Sequence, residues 1–106
     1  MAMMLVLNTC PDKKTANKIA ESLVQKKLAA CVSIVALDRS LYRWRGRIVQ
    51  AKEWLLLIKT KASLYGRVEA HIKANHPHET PEIIGFSIKK GDKRYLAWVG
   101  KNTAMP

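Results

Sequence analysis

Apolar residues recur along this chain at two different spacings, and the switches between them lay out its elements. Met3–Thr9 is a short apolar run, the mark of a buried strand. Beyond it Ala16, Ile19, Ala20, Leu23 and Val24 recur at intervals of three and four, one face of a helix ending near Lys27. Pro11-Asp12 starts that helix: the Asp12 carboxylate can accept the first amide hydrogens, with Thr15 three residues on. Lys26 and Lys27 stand in its last turn, where the dipole favours positive charge. Leu64, Val68, His71 and Ile72 share a face of a second helix over about Ala62–Ala74. Then follow a proline-rich loop, His76–Pro81, a strand at Glu82–Ile88, a turn at Lys89–Asp92, a last apolar piece at Tyr95–Val99 and a loose tail, Gly100–Pro106.

Between the two helices lie the arms Val32–Trp44 and Arg47–Lys59, which read as one hairpin with Arg45-Gly46 at its tip. Each arm has thirteen residues, a span of about 43 Å at roughly 3.3–3.4 Å per residue. A domain of this length has a radius of gyration near ~13 Å. The outer half must leave the local core, yet it carries Leu41, Tyr42, Trp44, Ile48 and Val49. A two-residue turn sets Trp44 opposite Arg47, Arg43 opposite Ile48, Tyr42 opposite Val49 and Leu41 opposite Gln50, unless a bulge breaks the register, and leaves apolar side chains on both faces. Such a ribbon needs a partner surface, and Tyr42, Trp44, Ile48 and Trp54 are its candidate interface residues.

The order of elements is β-α-β-β-α-β with a short C-terminal element, an α+β class. Two crossovers place both helices on one side of a four-stranded sheet and leave the other face bare and apolar. Self-association would cover it, as a dimer or a trimer. The whole chain, 1–106, reads as one domain with its core at about 3–99.

Composition narrows the setting. Nineteen Lys and Arg against eight Asp and Glu give a net charge of +11, which favours anionic partners in general. Cys10 and Cys31 are too few for a disulfide framework, and free thiols fit a reducing compartment. Met1 to Leu7 has no basic leader, and no stretch approaches the roughly 20 apolar residues of a membrane helix. The expectation is a cytoplasmic protein without a membrane partner.

Six blocks, in order, carry a resemblance. They are Asn8-Thr9-Cys10-Pro11-Asp12, Lys27-Leu28-Ala29-Ala30-Cys31-Val32, Ser40-Leu41-Tyr42-Arg43-Trp44-Arg45-Gly46, Leu57-Ile58-Lys59-Thr60, His76-Pro77-His78-Glu79-Thr80-Pro81-Glu82-Ile83 and Tyr95-Leu96-Ala97-Trp98. Together, over about Val6 to Val99, they closely resemble the CutA family of divalent-ion tolerance proteins. The resemblance implies a ferredoxin-like fold, a homotrimer arranged like the PII signalling proteins, a cytoplasmic setting, a link to copper and other divalent cations, and no enzymatic activity. It also implies that a copper site would fall at Asn8, Asn75 and His76, of which only His76 is a usual ligand type.

Cys10 and His78 are the nearby stand-ins, so Cys10, His76 and His78 form the candidate metal set, with thiolate and imidazole suited to copper or zinc. No cofactor is required on this reading, and copper or another divalent cation is the candidate ion. Cys31 reads as a small buried apolar residue instead. Lys59, Glu79 and Glu82 are candidates for an intersubunit cleft taking a small molecule or ion. For catalysis, Cys10 and a histidine have no third, orienting group. Nucleic acid is the rival from another class. Arg39, Arg43, Arg45 and Arg47 supply charge near the hairpin tip, whereas the sheet strands show no paired aromatic platform and no RNP-type motif, which argues against it. The functional expectation is a homotrimer in divalent-metal (copper) tolerance or response, with weak copper binding. The alternatives are a PII-like structural or signalling adaptor without a physiological metal, and a nucleic-acid-binding protein.

Overall fold

The computed structural model describes residues 2–105. Strand β1, Met3–Cys10, leads into helix α1, Lys13–Gln25. Asp12 caps α1: its Oδ1 accepts from the Thr15 amide at 2.7 Å and its Oδ2 from the Thr15 hydroxyl at 3.2 Å. The helix closes with Lys27 in the left-handed region, φ 58°, while the Leu28 amide reaches back to the Leu23 carbonyl at 2.9 Å. Next come β2 (Cys31–Ala36), β3 (Ser40–Trp44), β4 (Arg47–Ala51) and β5 (Trp54–Lys61). A 3-10 turn at Ala62–Leu64 opens helix α2, Tyr65–Asn75, and the chain ends with β6 (Ile83–Ser87) and α3 (Lys93–Lys101).

Four strands form one antiparallel sheet in the order β2-β5-β1-β6. Directly paired residues share a face. Val6, Ile58 and Val32 therefore lie on one side, and Leu7, Leu57, Ser33 and Ile84 on the other. The first side meets the helices. Ala16, Ile19, Ala20 and Leu23 of α1 and Val68 and Ile72 of α2 pack with Val6, Leu56 and Ile58 into one buried cluster. Every one of the α1 positions except Val24 that the three-and-four spacing selected is buried there. This is an α+β fold with a multistranded antiparallel sheet, as in the ferredoxin-like class.

The single thirteen-residue hairpin is not what forms. Each arm is divided, and β3 pairs with β4 in a separate two-stranded sheet. Three residues, 37–39, separate the inner and outer pairs on the first arm, and only two, 52–53, on the second. The extra residue slips the register by one, so a register counted from the tip does not hold in the inner sheet. One bond spans the break, from the Leu37 amide to the Glu53 carbonyl at 2.9 Å. At the tip, Trp44 faces Arg47 and Tyr42 faces Val49 around a two-residue turn with Arg45 at φ 50° and Gly46 at φ 76°. Positive φ at both central positions is the type I′ geometry that matches strand twist. Overall extents of 44 × 26 × 21 Å fit a core with a projecting ribbon.

The C-terminal segment also departs from its sequence reading. The last apolar piece is a capped helix: Asp92 Oδ2 accepts from the Tyr95 amide at 2.9 Å. Residues after Gly100 are not loose up to Ala104. The Ala104 amide donates to the Lys27 carbonyl at 2.7 Å. Lys61, 2% exposed, donates from Nζ to the carbonyls of Thr103 and Ala104 at 3.4 and 3.0 Å. A buried ammonium must be hydrogen-bonded, and the terminal carbonyls answer it. Pro106 lies outside the described residues.

Helix α3 covers one end of the second sheet face, where Gly100 approaches Met3. The rest of that face is not covered by this chain. Leu5, Leu7, Leu55 and Leu57 are half-buried, and Ile84 and Phe86 are exposed. The ribbon adds Leu41, Tyr42, Trp44 (58% exposed) and Ile48 (71%).

Candidate functional site

The end of β1 and the loop after α2 meet, as the candidate metal set requires. His76 Nε2 lies 2.8 Å from the Thr9 carbonyl oxygen. A carbonyl only accepts, so Nε2 carries the ring hydrogen. Nδ1 then accepts, and the His78 amide donates to it at 3.1 Å. Both ring nitrogens of His76 are committed to the backbone. The His78 ring packs against it, with centroids 4.9 Å apart, and His78 is exposed.

Cys10 is fully buried in the core cluster. Its thiol donates to Asn8 Oδ1 at 3.4 Å. Burial first, and then the charges of Asp12 and Glu53, push its pKa up to about 11. The thiolate that a metal would need is thus disfavoured. Asn8 spends its other atoms on structure, donating from Nδ2 to the Glu82 carbonyl at 2.9 Å, which ties the start of β6 to β1. Asn75 Nδ2 donates to the His71 carbonyl at 2.8 Å.

These residues do not fit a copper ion. One thiol is buried and protonated, one imidazole has both nitrogens occupied, and a single free ring is left. Among the described residues, no three His, Cys, Asp or Glu side chains are grouped to hold a metal.

Lys59 sits on the second sheet face, where its Nζ donates to Ser33 Oγ at 2.8 Å and the Leu57 carbonyl at 3.2 Å. It pairs with Leu5, which pairs with Phe86. Glu82 stands four residues before Phe86, roughly 13 Å along the strand direction. Glu79 and Glu82 are exposed. Within one chain Lys59 and Glu82 are well separated. The four interface candidates also divide. Tyr42 and Trp44 share one ribbon face and Ile48 lies on the other. Trp54, at the ribbon's root, packs against the core with Lys52 Nζ 5.8 Å from its ring centroid. Cys31 is half-buried on the sheet face, beside Lys59, rather than sealed in the core.

Sequence reading missed one contact. Ser22 Oγ of α1 lies 2.6 Å from His71 Nε2 of α2, a hydrogen bond joining the two helices. Burial, and then Lys26, hold the His71 pKa below its ordinary value. The signal was present in the spacing: Ser22 adjoins the apolar stripe of α1, and His71 falls within that of α2.

Comparison with known proteins agrees with this geometry. A family model described as "CutA1 divalent ion tolerance protein" matches residues 4–102. A divalent-cation tolerance protein CutA of Thermus thermophilus is 42% identical over 99 residues, 93% of this chain and 96% of that protein. A CutA homolog of Danio rerio is 43% identical over 97 residues, 92% of this chain but 65% of that longer protein. The crystal structure of CutA1 from Oryza sativa superposes with a TM-score of 0.97 at 39% identity, covering 100% of this chain and 97% of that one. A match from the first strand through the last helix, at this identity, settles the family: the chain belongs to the CutA1 divalent-ion tolerance proteins.

Proposed function

We propose that this protein acts in divalent-metal tolerance or response, copper included, as a cytoplasmic homotrimer of single ferredoxin-like β-α-β-β-α-β domains. The family match supports the metal-tolerance half of this reading, and the uncovered apolar surface, formed by Leu5, Leu7, Leu55 and Leu57 on the sheet and continued by Tyr42 and Trp44 on the ribbon, supports the assembly half. A surface of that kind is stable in water only when sister chains cover it. CutA proteins are not enzymes, and this chain stands with them. Assembly would also carry Lys59 of one chain towards the acidic side chains Glu79 and Glu82 of another, making the intersubunit cleft that one chain lacks.

Copper then meets the protein weakly, at the exposed imidazole of His78, and not at a centre built from Cys10 and His76. Calorimetric copper titration of the native protein and of Cys10→Ser, His76→Gln and His78→Gln tests this. Weak binding reduced only by His78→Gln is the expected result. Tight binding abolished by Cys10→Ser or His76→Gln contradicts it. No binding at all favours a PII-like adaptor without a physiological metal, a reading supported by the committed hydrogen bonds of His76.

A further inference from the structure

The net charge of +11 is not spread evenly. Lys89, Lys90, Lys93, Arg94 and Lys101 fall within thirteen residues that contain one acidic residue, Asp92. All five cations are exposed. The Asp92 carboxylate is engaged in capping α3. Among the described residues the one ion pair is Lys73–Glu69 on α2, so none of these five cations is neutralised by a carboxylate.

The same element carries two exposed aromatic rings. Tyr95 and Trp98 stack with centroids 5.9 Å apart and planes at 26°. Trp98 is 45% exposed, although it is among the largest apolar side chains in the molecule. Helical spacing explains where it points. Arg94, Trp98 and Lys101, four and three residues apart, share one face, whereas buried Val99 lies on the face packed against the sheet. An exposed aromatic ring flanked by cations on one helix face combines the two attractions that single-stranded nucleic acid meets: phosphate neutralisation and base stacking. The sheet strands offer no such platform.

We propose that the exposed face of α3 carrying Arg94, Trp98 and Lys101, with the Lys89-Lys90 turn before it, binds single-stranded nucleic acid. Binding is sequence-tolerant, since the strip offers charge and a ring face but no groove that reads base edges. It is independent of the metal-tolerance reading.

Fluorescence anisotropy of a labelled single-stranded oligonucleotide, across a salt series, tests the proposal. Inorganic polyphosphate is the competitor that carries phosphates without bases. The Lys89→Gln/Lys90→Gln variant, altered only at exposed positions, should lower the slope of log affinity against log salt by about 1.4, at roughly 0.7 per phosphate contact on a single strand. Trp98→Ala should weaken the oligonucleotide about tenfold while leaving polyphosphate affinity unchanged. An Arg43→Gln/Arg45→Gln variant at the ribbon tip should match the native protein in both arms. The proposal is overturned by no binding at low salt, by an unchanged slope in the lysine variant, or by an equal loss in the tip variant. It is also overturned if Trp98→Phe, which keeps a stacking ring, fails to retain oligonucleotide binding in a correctly assembled protein.

Discussion

Cys10 shows how one side chain's surroundings decide its chemistry. Its raised pKa means the folded state holds the thiol proton more tightly than the unfolded chain does. Its contribution to stability is therefore complete below about pH 9, the ordinary thiol value, and is lost as pH rises towards about 11. In a urea-midpoint series at pH 8, 9, 10 and 11, Cys10→Ala should remove part of the alkaline decline seen in the native protein. Asn8 supports the same corner. Asn8→Ala leaves the Glu82 carbonyl and the Cys10 thiol without their partner, and should cost about 1–3 kcal/mol in equilibrium unfolding. Much at this scale is legible in the sequence: the Asp12 cap and the apolar stripe of α1 follow from type and spacing alone. The fate of Cys10 is not. A cysteine before a proline looks like a ligand or nucleophile at a helix start until β5 and the helices are seen to close over it. The two nitrogens of His76 are likewise assigned only once the Thr9 carbonyl and the His78 amide are in place.

At the scale of elements, the ribbon teaches the most. The Arg45-Gly46 turn predicts its outer pairing, because a two-residue loop fixes register locally. That a bulge can break the register is legible in the ribbon's irregular pattern, but its place at residues 37–39 is not, because it answers the mismatch between ribbon and inner sheet, a tertiary demand that no short pattern encodes. Arg45 in the left-handed region carries strain that asparagine tolerates better. Arg45→Asn should raise stability by about 0.5–1 kcal/mol, read as a higher denaturation midpoint with unchanged assembly. Helix α3 was hidden for a different reason. Its apolar residues are too few for a period to show, and its N-cap signal, Asp92 three residues before Tyr95, sits in a lysine-rich turn.

For the whole molecule, two layers have opposite needs. Helices α1 and α2 complete one sheet face into a core with Val6, Ile58 and Leu56 fully buried. The second face and the ribbon are left half-covered, and a chain of this size cannot spare that much apolar surface. Charge opposes association, since each added chain brings another +11. Assembly must therefore rest on apolar contact and should persist, or tighten, as salt rises. Trp44, exposed on the ribbon face it shares with Tyr42, is the residue whose loss should weaken that contact most.

Sedimentation equilibrium of the native protein at low micromolar concentration, beside Trp44→Ala, measures this directly. A mass three times the 12.0 kDa of the chain, holding in high salt and falling in the variant, is the predicted result. A native protein that sediments as a 12.0 kDa monomer, folded and with its ribbon in water, would contradict the account.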